Sequence, residues 1–140
     1  MNDNKYIDVP AGYAPNDNEP FMSVIMKSYF REKLLEWKAD LMDQTKDTME
    51  NLKAESVSHP DAIDRASATA DRQLELRTRD RLRKLIVKID KGLGRIEFGT
   101  YGYCDETGDP IRVGRLEARL VATLSIEAQE MRERGKRTRA

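Results

Sequence analysis

The stretch Ser58-His59-Pro60-Asp61-Ala62-Ile63-Asp64-Arg65-Ala66 separates two long charged segments that both have helical periodicity. Its proline is the only one between Pro20 and Pro110. Proline cannot continue a helix from before it but can open one after it, so the stretch predicts a break between two helices. A short connection makes consecutive helices antiparallel neighbours. The simplest arrangement is therefore a helical hairpin with this stretch at its tip.

The composition favours a single elongated helical domain. Of the 140 residues, 39% are hydrophobic and 36% are charged, which suits helices that each bury only a narrow stripe. Lys+Arg and Asp+Glu both number 25, so the net charge does not indicate non-specific nucleic-acid binding. A single cysteine excludes an intrachain disulfide. Because neither a signal peptide nor an apolar run of membrane length is visible, a cytoplasmic protein is expected.

The periodicity predicts three regions: a flexible arm over residues 1–20, a helical segment and hairpin over 21–98 with its tip at 57–66, and a small globular part with a C-terminal helix and basic tail over 99–140. The first long helix is expected over about 21–56 and the second to end near Phe98. The predicted seam of the first helix consists of Phe30, Leu34, Trp37, Leu41, Gln44, Thr48 and, less regularly, Leu52. The apolar stripe of the second consists of Leu74, Leu82, Leu85, Ile89, Leu93 and Ile96.

The C-terminal third is rich in turn signals. Residues 99–110 have room for one or two very short strands, and residues 111–120 for a short helical turn. Ser125 is expected to cap a last helix that Gly135 ends.

The ingredients of an enzyme are mostly missing. His59 is the only histidine, it lies beside a proline, and no glycine-rich phosphate loop is present. Asp61 and Asp64 are a sharper signal, because carboxylates three residues apart at a helix start can lie near one another. They fit a helix cap with a first-turn acid. They also fit an acidic prong that approaches Mg²⁺ or basic groups in a channel of a partner.

At this point the residues resemble the DksA/TraR family of RNA polymerase-binding transcription factors. The resemblance runs from about residue 19 to residue 131 and is carried by three pieces in order. These are Pro60-Asp61-Ala62-Ile63-Asp64-Arg65-Ala66, then Leu74-Glu75-Leu76-Arg77-Thr78-Arg79-Asp80-Arg81 with Lys84-Leu85-Ile86, and finally Phe98-Gly99-Thr100-Tyr101-Gly102-Tyr103-Cys104 with Arg115-Leu116-Glu117-Ala118-Arg119.

The resemblance implies a mainly all-α fold with a long antiparallel coiled-coil hairpin, a small degenerate zinc-finger-like domain and a C-terminal helix. It also implies binding to bacterial RNA polymerase rather than sequence-specific binding to DNA. The hairpin is expected to enter the secondary channel and, with ppGpp, to alter the stability of promoter complexes in the stringent response. Ribosomal RNA promoters would be repressed, and some amino-acid biosynthesis promoters activated.

By this resemblance, Asp61, Asp64 and Ala66 match the functional tip, and Arg81 matches a polymerase-binding position. The positions that match a ppGpp site at the polymerase rim are Leu85, Lys88 and Arg119. A Lys and Arg pair suits a polyphosphate. The family has a basic residue where Gln129 stands here, a departure that bears on ppGpp binding.

The zinc site departs furthest from the family pattern. Zinc-bearing members have two cysteine pairs, whereas the four positions read Cys104, Thr107, Ser125 and Ala128 here. Four-ligand structural zinc is not expected from these residues. The chain resembles the cysteine-poor, zinc-independent members, and its globular part is expected to be held by packing. The residues expected in that core are Tyr101, Tyr103, Ile111, Leu116, Leu120 and Leu124.

Two other functions remain open. A transcript-cleavage factor also uses an acidic hairpin tip, but it makes the polymerase cut its own backtracked RNA. A passive coiled-coil adaptor would tolerate substitution at Asp61 and Asp64. A monomer is expected, because the hairpin supplies its own seam partner.

Overall fold

A computed structural model describes residues 5–54 and 62–139. Within these ranges the protein has four helices and one isolated bridge between Tyr103 and Pro110. Helices α1 and α2 span Val24–Ala54 and Ala62–Phe98, followed by α3 (Val113–Ala118) and α4 (Ile126–Arg139). The predicted mainly all-α class and its long helical hairpin are confirmed. The capping role expected of Asp61 lies outside the described residues.

The chain divides into two compact units. One combines residues 1–35 with 89–140 and is called the core unit below. The other, residues 36–88, is called the hairpin unit. Each long helix contributes residues to both units.

The core unit is organised around side chains from α1, α2 and the segment after α2. Phe30, Ile111 and Leu116 are fully buried, and the ring of Tyr101 packs 5.7 Å from that of Phe30. Four of the predicted globular core residues are buried, whereas Tyr103 and Leu120 are only half-buried. The residues that complete this buried set are Met26, Leu34, Ile89, Ile96, Cys104, Val113, Leu124 and Ala128.

Close packing accounts for a glycine in the C-terminal part of α2. Gly92 lies inside α2 and is buried. A Cβ at this position would lie 3.4 Å from Cδ1 of Leu34. The absence of a side chain thus lets α2 approach the leucine on α1 closely.

Residues 5–20, for which the sequence predicts a flexible arm, make specific contacts within the core unit. The Tyr6 hydroxyl donates to Glu97 at 2.8 Å, and the backbone N–H of Ile7 donates to the Ser28 hydroxyl at 2.9 Å. The Arg31 guanidinium lies 4.4 Å from the centre of the Tyr6 ring, a cation–π distance. This segment therefore lies along the α1 and α2 residues of its own unit.

The hairpin unit buries few residues. Leu41 and Leu82 are its buried apolar side chains among those described. The predicted seam position Gln44 is wrong, because Gln44 is exposed and Thr45 is half-buried in its place. The Thr45 hydroxyl donates to the Leu41 carbonyl at 2.8 Å, so its polar group is satisfied within the helix.

The predicted stripe on α2 also needs one correction. Leu74 is 61% exposed. At 100° per residue it lies about 80° around the helix from Leu82, at the edge of the buried arc.

The last helix starts as predicted but ends later. The Ser125 hydroxyl accepts the backbone N–H of Ala128 at 3.2 Å, which is an N-cap bond. The prediction that Gly135 ends α4 is wrong, because the helix continues to Arg139. A glycine inside a helix lowers its stability by about 1 kcal/mol without breaking it, and no proline follows.

Candidate functional site

The hairpin tip presents an acidic residue in the first turn of α2. Asp64 is the acid of that turn, and its side chain is exposed. A carboxylate there interacts favourably with the positive end of the helix dipole, so the helix holds it in place without burying it. Ala66, two residues further on, is also exposed and adds almost no bulk. Asp61, the other predicted tip acid, lies outside the described residues.

Three further predicted residues lie on one side of α2. Arg81, Leu85 and Lys88 are separated by four and then three residues, so they occupy neighbouring positions on the helix surface. Arg81 and Lys88 are exposed, whereas Leu85 is half-buried. The arrangement offers two cations beside an apolar side chain.

The other residues predicted for a ppGpp site lie in the core unit. Arg119 is exposed and caps the C-terminal end of α3, where its N–H donates to the Arg115 carbonyl at 2.8 Å. Gln129 lies on α4, and its amide donates to Glu133 at 3.0 Å. A neutral amide held by a carboxylate offers less attraction to a polyphosphate than the family's basic residue at this position would.

The four positions that match the family's zinc ligands are linked by hydrogen bonds. Cys104 is buried, and its sulfur interacts with the Thr107 hydroxyl and with the backbone N–H of Ser125. Burial raises the pKa of the Cys104 thiol. The hydrogen bonds from the Thr107 hydroxyl and from the backbone N–H groups of Ser125, Thr107 and Glu106 outweigh burial and lower the pKa to about 6.

These residues do not fit a zinc ion. Ala128 has no ligand atom, and the Ser125 hydroxyl is already engaged as the cap of α4. Among the residues that the structure describes, no cluster of three or more His, Cys, Asp or Glu side chains could hold a metal. Hydrogen bonds engage the Cys104 sulfur and the Ser125 hydroxyl instead.

Other contacts join the segments around Cys104 and Ser125 to each other and to α3 and α4. The backbone N–H of Asp105 donates to the Thr123 carbonyl at 2.8 Å, and the Arg115 side chain donates to the Leu124 carbonyl at 2.8 Å. An ion pair joins Arg132 on α4 to Glu106. Sequence reasoning missed this set, because pairings across 9 to 26 residues leave no periodic signal.

The segment before α1 also covers this region. The Phe21 ring packs edge-on against Tyr103, with centroids 5.4 Å apart. Gly102 lies beneath both Phe21 and Met22, and a Cβ there would come within 2.9 Å of the Met22 methyl carbon. The φ of Gly102 is +89°, so the turn and the close approach both require glycine.

No helix in the described part of the chain is both long and apolar enough to cross a membrane.

Two family models of known proteins match successive parts of this chain. Residues 26–96, just over half of the chain, match a family model described as the N-terminal domain of the DnaK suppressor protein DksA. Residues 99–134 match a prokaryotic dksA/traR C4-type zinc finger, the region in which Cys104 is the only cysteine.

Individual relatives cover most of the chain. A protein named RNA polymerase-binding transcription factor DksA from Caulobacter vibrioides is 54% identical, with 89% of this chain and 88% of the relative covered. Its namesake from Escherichia coli K12 is 38% identical, with 86% and 80% covered. The solved structure of transcription factor DksA2 from Pseudomonas aeruginosa matches with a TM-score of 0.81 and 36% identity, and covers 86% of this chain and 95% of that one. This chain therefore belongs to the DksA family.

Proposed function

We propose that this protein is a transcription regulator that binds bacterial RNA polymerase in the cytoplasm. Its hairpin tip enters the secondary channel, where Asp64 and Asp61 act near the catalytic centre. The protein acts as a monomer, has no catalytic activity of its own and makes no sequence-specific contact with DNA. Together with ppGpp it alters the stability of promoter complexes, repressing ribosomal RNA promoters and activating some amino-acid biosynthesis promoters in the stringent response.

The observation that carries the proposal is the exposed carboxylate of Asp64 in the first turn of α2, in a chain 54% identical to a named RNA polymerase-binding factor. The carboxylate is presented by a helix rather than by a loop, so its position is set by the backbone. Small Ala66 beside it leaves room for close approach to the walls of a channel. Arg81 binds the polymerase further along the same helix.

The proposed second ligand is ppGpp, bound at the polymerase interface. Leu85, Lys88 and Arg119 contact it, and the two cations pair with its phosphates. Gln129 supplies no charge, and Glu133 engages its amide. We therefore expect ppGpp to enhance regulation less strongly than in relatives with a basic residue at this position.

The proposed fold is independent of zinc. The hydrogen bonds around Cys104 and the cap at Ser125 hold the loops that a metal would otherwise join. The helical circular-dichroism signal and the unfolding midpoint should therefore be unchanged by EDTA. A loss of helix in EDTA that zinc restores would contradict this part of the proposal.

The test is transcription in vitro from a ribosomal RNA promoter with the purified cognate polymerase, with and without ppGpp. Wild type is compared with Asp64→Asn, which removes one charge while keeping the size of the side chain. The proposal predicts inhibition by wild type, enhancement by ppGpp and loss of inhibition in the variant.

Each other result has a defined meaning. Inhibition without ppGpp enhancement would keep the channel mechanism and remove the second ligand. Stimulated cleavage of RNA in stalled complexes would favour a transcript-cleavage factor. If folded wild-type protein has no effect, or if Asp64→Asn leaves both stability and regulation unchanged, a passive adaptor becomes the better account.

A further inference from the structure

A stripe of four cations runs along α2 within the hairpin unit. Arg77, Arg81, Lys84 and Lys88 follow steps of four, three and four residues, so they lie within about 60° of one another around the helix. All four side chains are exposed. The stripe spans about 16 Å at 1.5 Å per residue. We call it the basic stripe.

The basic stripe is not neutralised within the described part of the hairpin unit. None of its four cations forms an ion pair with a described residue. Asp80 lies beside Arg77 and Lys84 in helical spacing, yet its carboxylate reaches neither. Cations three and four residues apart repel one another and destabilise a helix. An arrangement that opposes the stability of its own helix points to a role in recognition.

A second stripe of opposite sign lies on α1 in the same unit. Its five acidic residues follow steps of four, three, four and three, and all are exposed. They are Glu36, Asp40, Asp43, Asp47 and Glu50. None of them forms an ion pair with a described residue. We call this set the acidic stripe.

Both stripes face away from the seam between the two helices. The acidic stripe is centred about 140° around α1 from the buried Leu41. The basic stripe is centred about 130° around α2 from the buried Leu82. The charges of the two stripes therefore do not pair with one another inside the unit. The described residues of the two helices in this unit also carry opposite formal net charges. Residues 36–54 contain three cations and five anions, whereas residues 62–88 contain eight cations and four anions.

We propose that the hairpin unit docks in a protein groove with two oppositely charged walls, an acidic wall against the basic stripe and a basic wall against the acidic stripe. This inference rests on the proposed function, in which the groove is the channel of the polymerase. Arg77 and Lys84 join the family-matched Arg81 in this contact, whereas Lys88, at the end of the stripe, is the residue proposed above to bind ppGpp. Because the two charged faces lie on different helices, their contacts with the two walls fix the rotation of the hairpin about its long axis. The same contacts therefore fix the direction in which Asp64 points.

The charge pattern favours this partner over a nucleic acid. A phosphate backbone would attract the basic stripe but repel the acidic stripe and Asp64, which belong to the same unit. The pattern also disfavours a second copy of this chain. Pairing of a basic stripe with the acidic stripe of another copy is head-to-tail, and without rotational closure it would propagate into filaments. Neither stripe contains an apolar centre of the kind that stable interfaces between copies bury.

The experiment measures the affinity of fluorescently labelled full-length protein for the cognate polymerase at low and high salt. Lys84→Glu is compared with Arg83→Glu, its neighbour in sequence, which is also exposed but lies about 100° around the helix. For the acidic stripe, Asp47→Lys is compared with Asp71→Lys, an exposed aspartate on α2. Circular dichroism checks that all four variants fold.

We expect Lys84→Glu and Asp47→Lys each to weaken binding roughly tenfold at low salt, with less effect at high salt, where screening removes part of the attraction. The two control variants should stay within about twofold of wild type. Equal affinities for stripe and control variants would overturn the inference while leaving the proposed function standing. Absence of wild-type binding would overturn both.

Two further measurements test whether the stripes bind a different partner. Light scattering should show a monomer at low salt, and salt-sensitive assembly that Lys84→Glu abolishes would overturn the inference in favour of a second copy. Fluorescence anisotropy with duplex DNA should show no binding, and DNA binding that Lys84→Glu removes would overturn it in favour of a nucleic acid.

Discussion

The core unit and the hairpin unit differ in which side chains they bury and which they expose. The core unit buries a continuous set of aromatic and aliphatic side chains, among them Phe30, Ile111 and Leu116. The hairpin unit buries only Leu41 and Leu82 as apolar side chains among its described residues, and its seam includes the polar Thr45. Its outer faces instead carry two rows of charged side chains that form no ion pair with a described residue. The contrast suggests that stability comes mainly from the core unit and recognition mainly from the hairpin unit.

The largest expected effect is the loss of a buried ring in the core unit. Phe30→Ala should lower the free energy of unfolding by about 3–5 kcal/mol, because it removes buried area and leaves a cavity. Phe98 ends α2 and is 85% exposed, so Phe98→Ala is the matched control and should have little effect. Urea unfolding followed by circular dichroism measures both. Equal effects would refute the distinction between buried and exposed rings.

The next effect concerns the turn under Phe21. Both Gly102 and Gly99 have positive φ, but only Gly102 has neighbours that a Cβ would strike. Gly99→Ala should destabilise by about 1–2 kcal/mol through backbone strain. Gly102→Ala should add about 1–3 kcal/mol from overpacking against Phe21 and Met22. If thermal unfolding gives the two variants the same midpoint, the segment before α1 is not packed on this turn.

The pH dependence of stability tests the hydrogen bonds around Cys104. Its pKa of about 6 lies below the ordinary thiol value, so the unfolded chain binds this proton more tightly than the folded chain. The stabilisation is complete above the unfolded pKa and is lost as the pH falls through about 6. The unfolding midpoint of wild type relative to Cys104→Ser should therefore rise between pH 6 and pH 8.5. A flat difference would show that the thiol stays neutral.

The smallest expected effect is a stabilisation. Gly94 lies inside α2 with open space around its Cα, so an added methyl group meets nothing. Gly94→Ala should raise the free energy of unfolding by up to about 1 kcal/mol through helix propensity. Urea titration measures this change in stability. Transcription in vitro with the same variant shows whether this end of α2 needs flexibility, because a stabilised variant that regulates transcription poorly would indicate that it does.

Much of the fold could be predicted from the sequence, because long helices leave strong periodic signals. The two separate long helices, the end of α2 at Phe98 and the cap at Ser125 all follow from local chemistry. The errors at Gln44 and Leu74 arise where the apolar pattern thins out and a shift of one residue changes which side chain faces the seam. The prediction for Gly135 was wrong because a single glycine lowers the stability of a helix without ending it.

The candidate site was less predictable. The tip and the rim positions came from the family resemblance, and the structure adds the exposure of Asp64, Ala66, Arg81 and Lys88. The hydrogen bonds around Cys104 could not be predicted, because they depend on which backbone N–H groups the folded loops bring to its sulfur. The charge stripes were visible in the sequence as helical spacing, but only the structure shows that their members are exposed and unpaired within the described residues.

The most direct test of the division between the two units compares polymerase binding and transcription for Asp64→Asn, with Asp71→Asn as the matched control. Removal of the Asp64 carboxylate should weaken the first turn of α2 by no more than about 1 kcal/mol. We predict that Asp64→Asn binds the polymerase within about twofold of wild type and yet no longer inhibits the ribosomal RNA promoter, whereas Asp71→Asn behaves as wild type. Full inhibition by a folded Asp64→Asn variant would contradict the account.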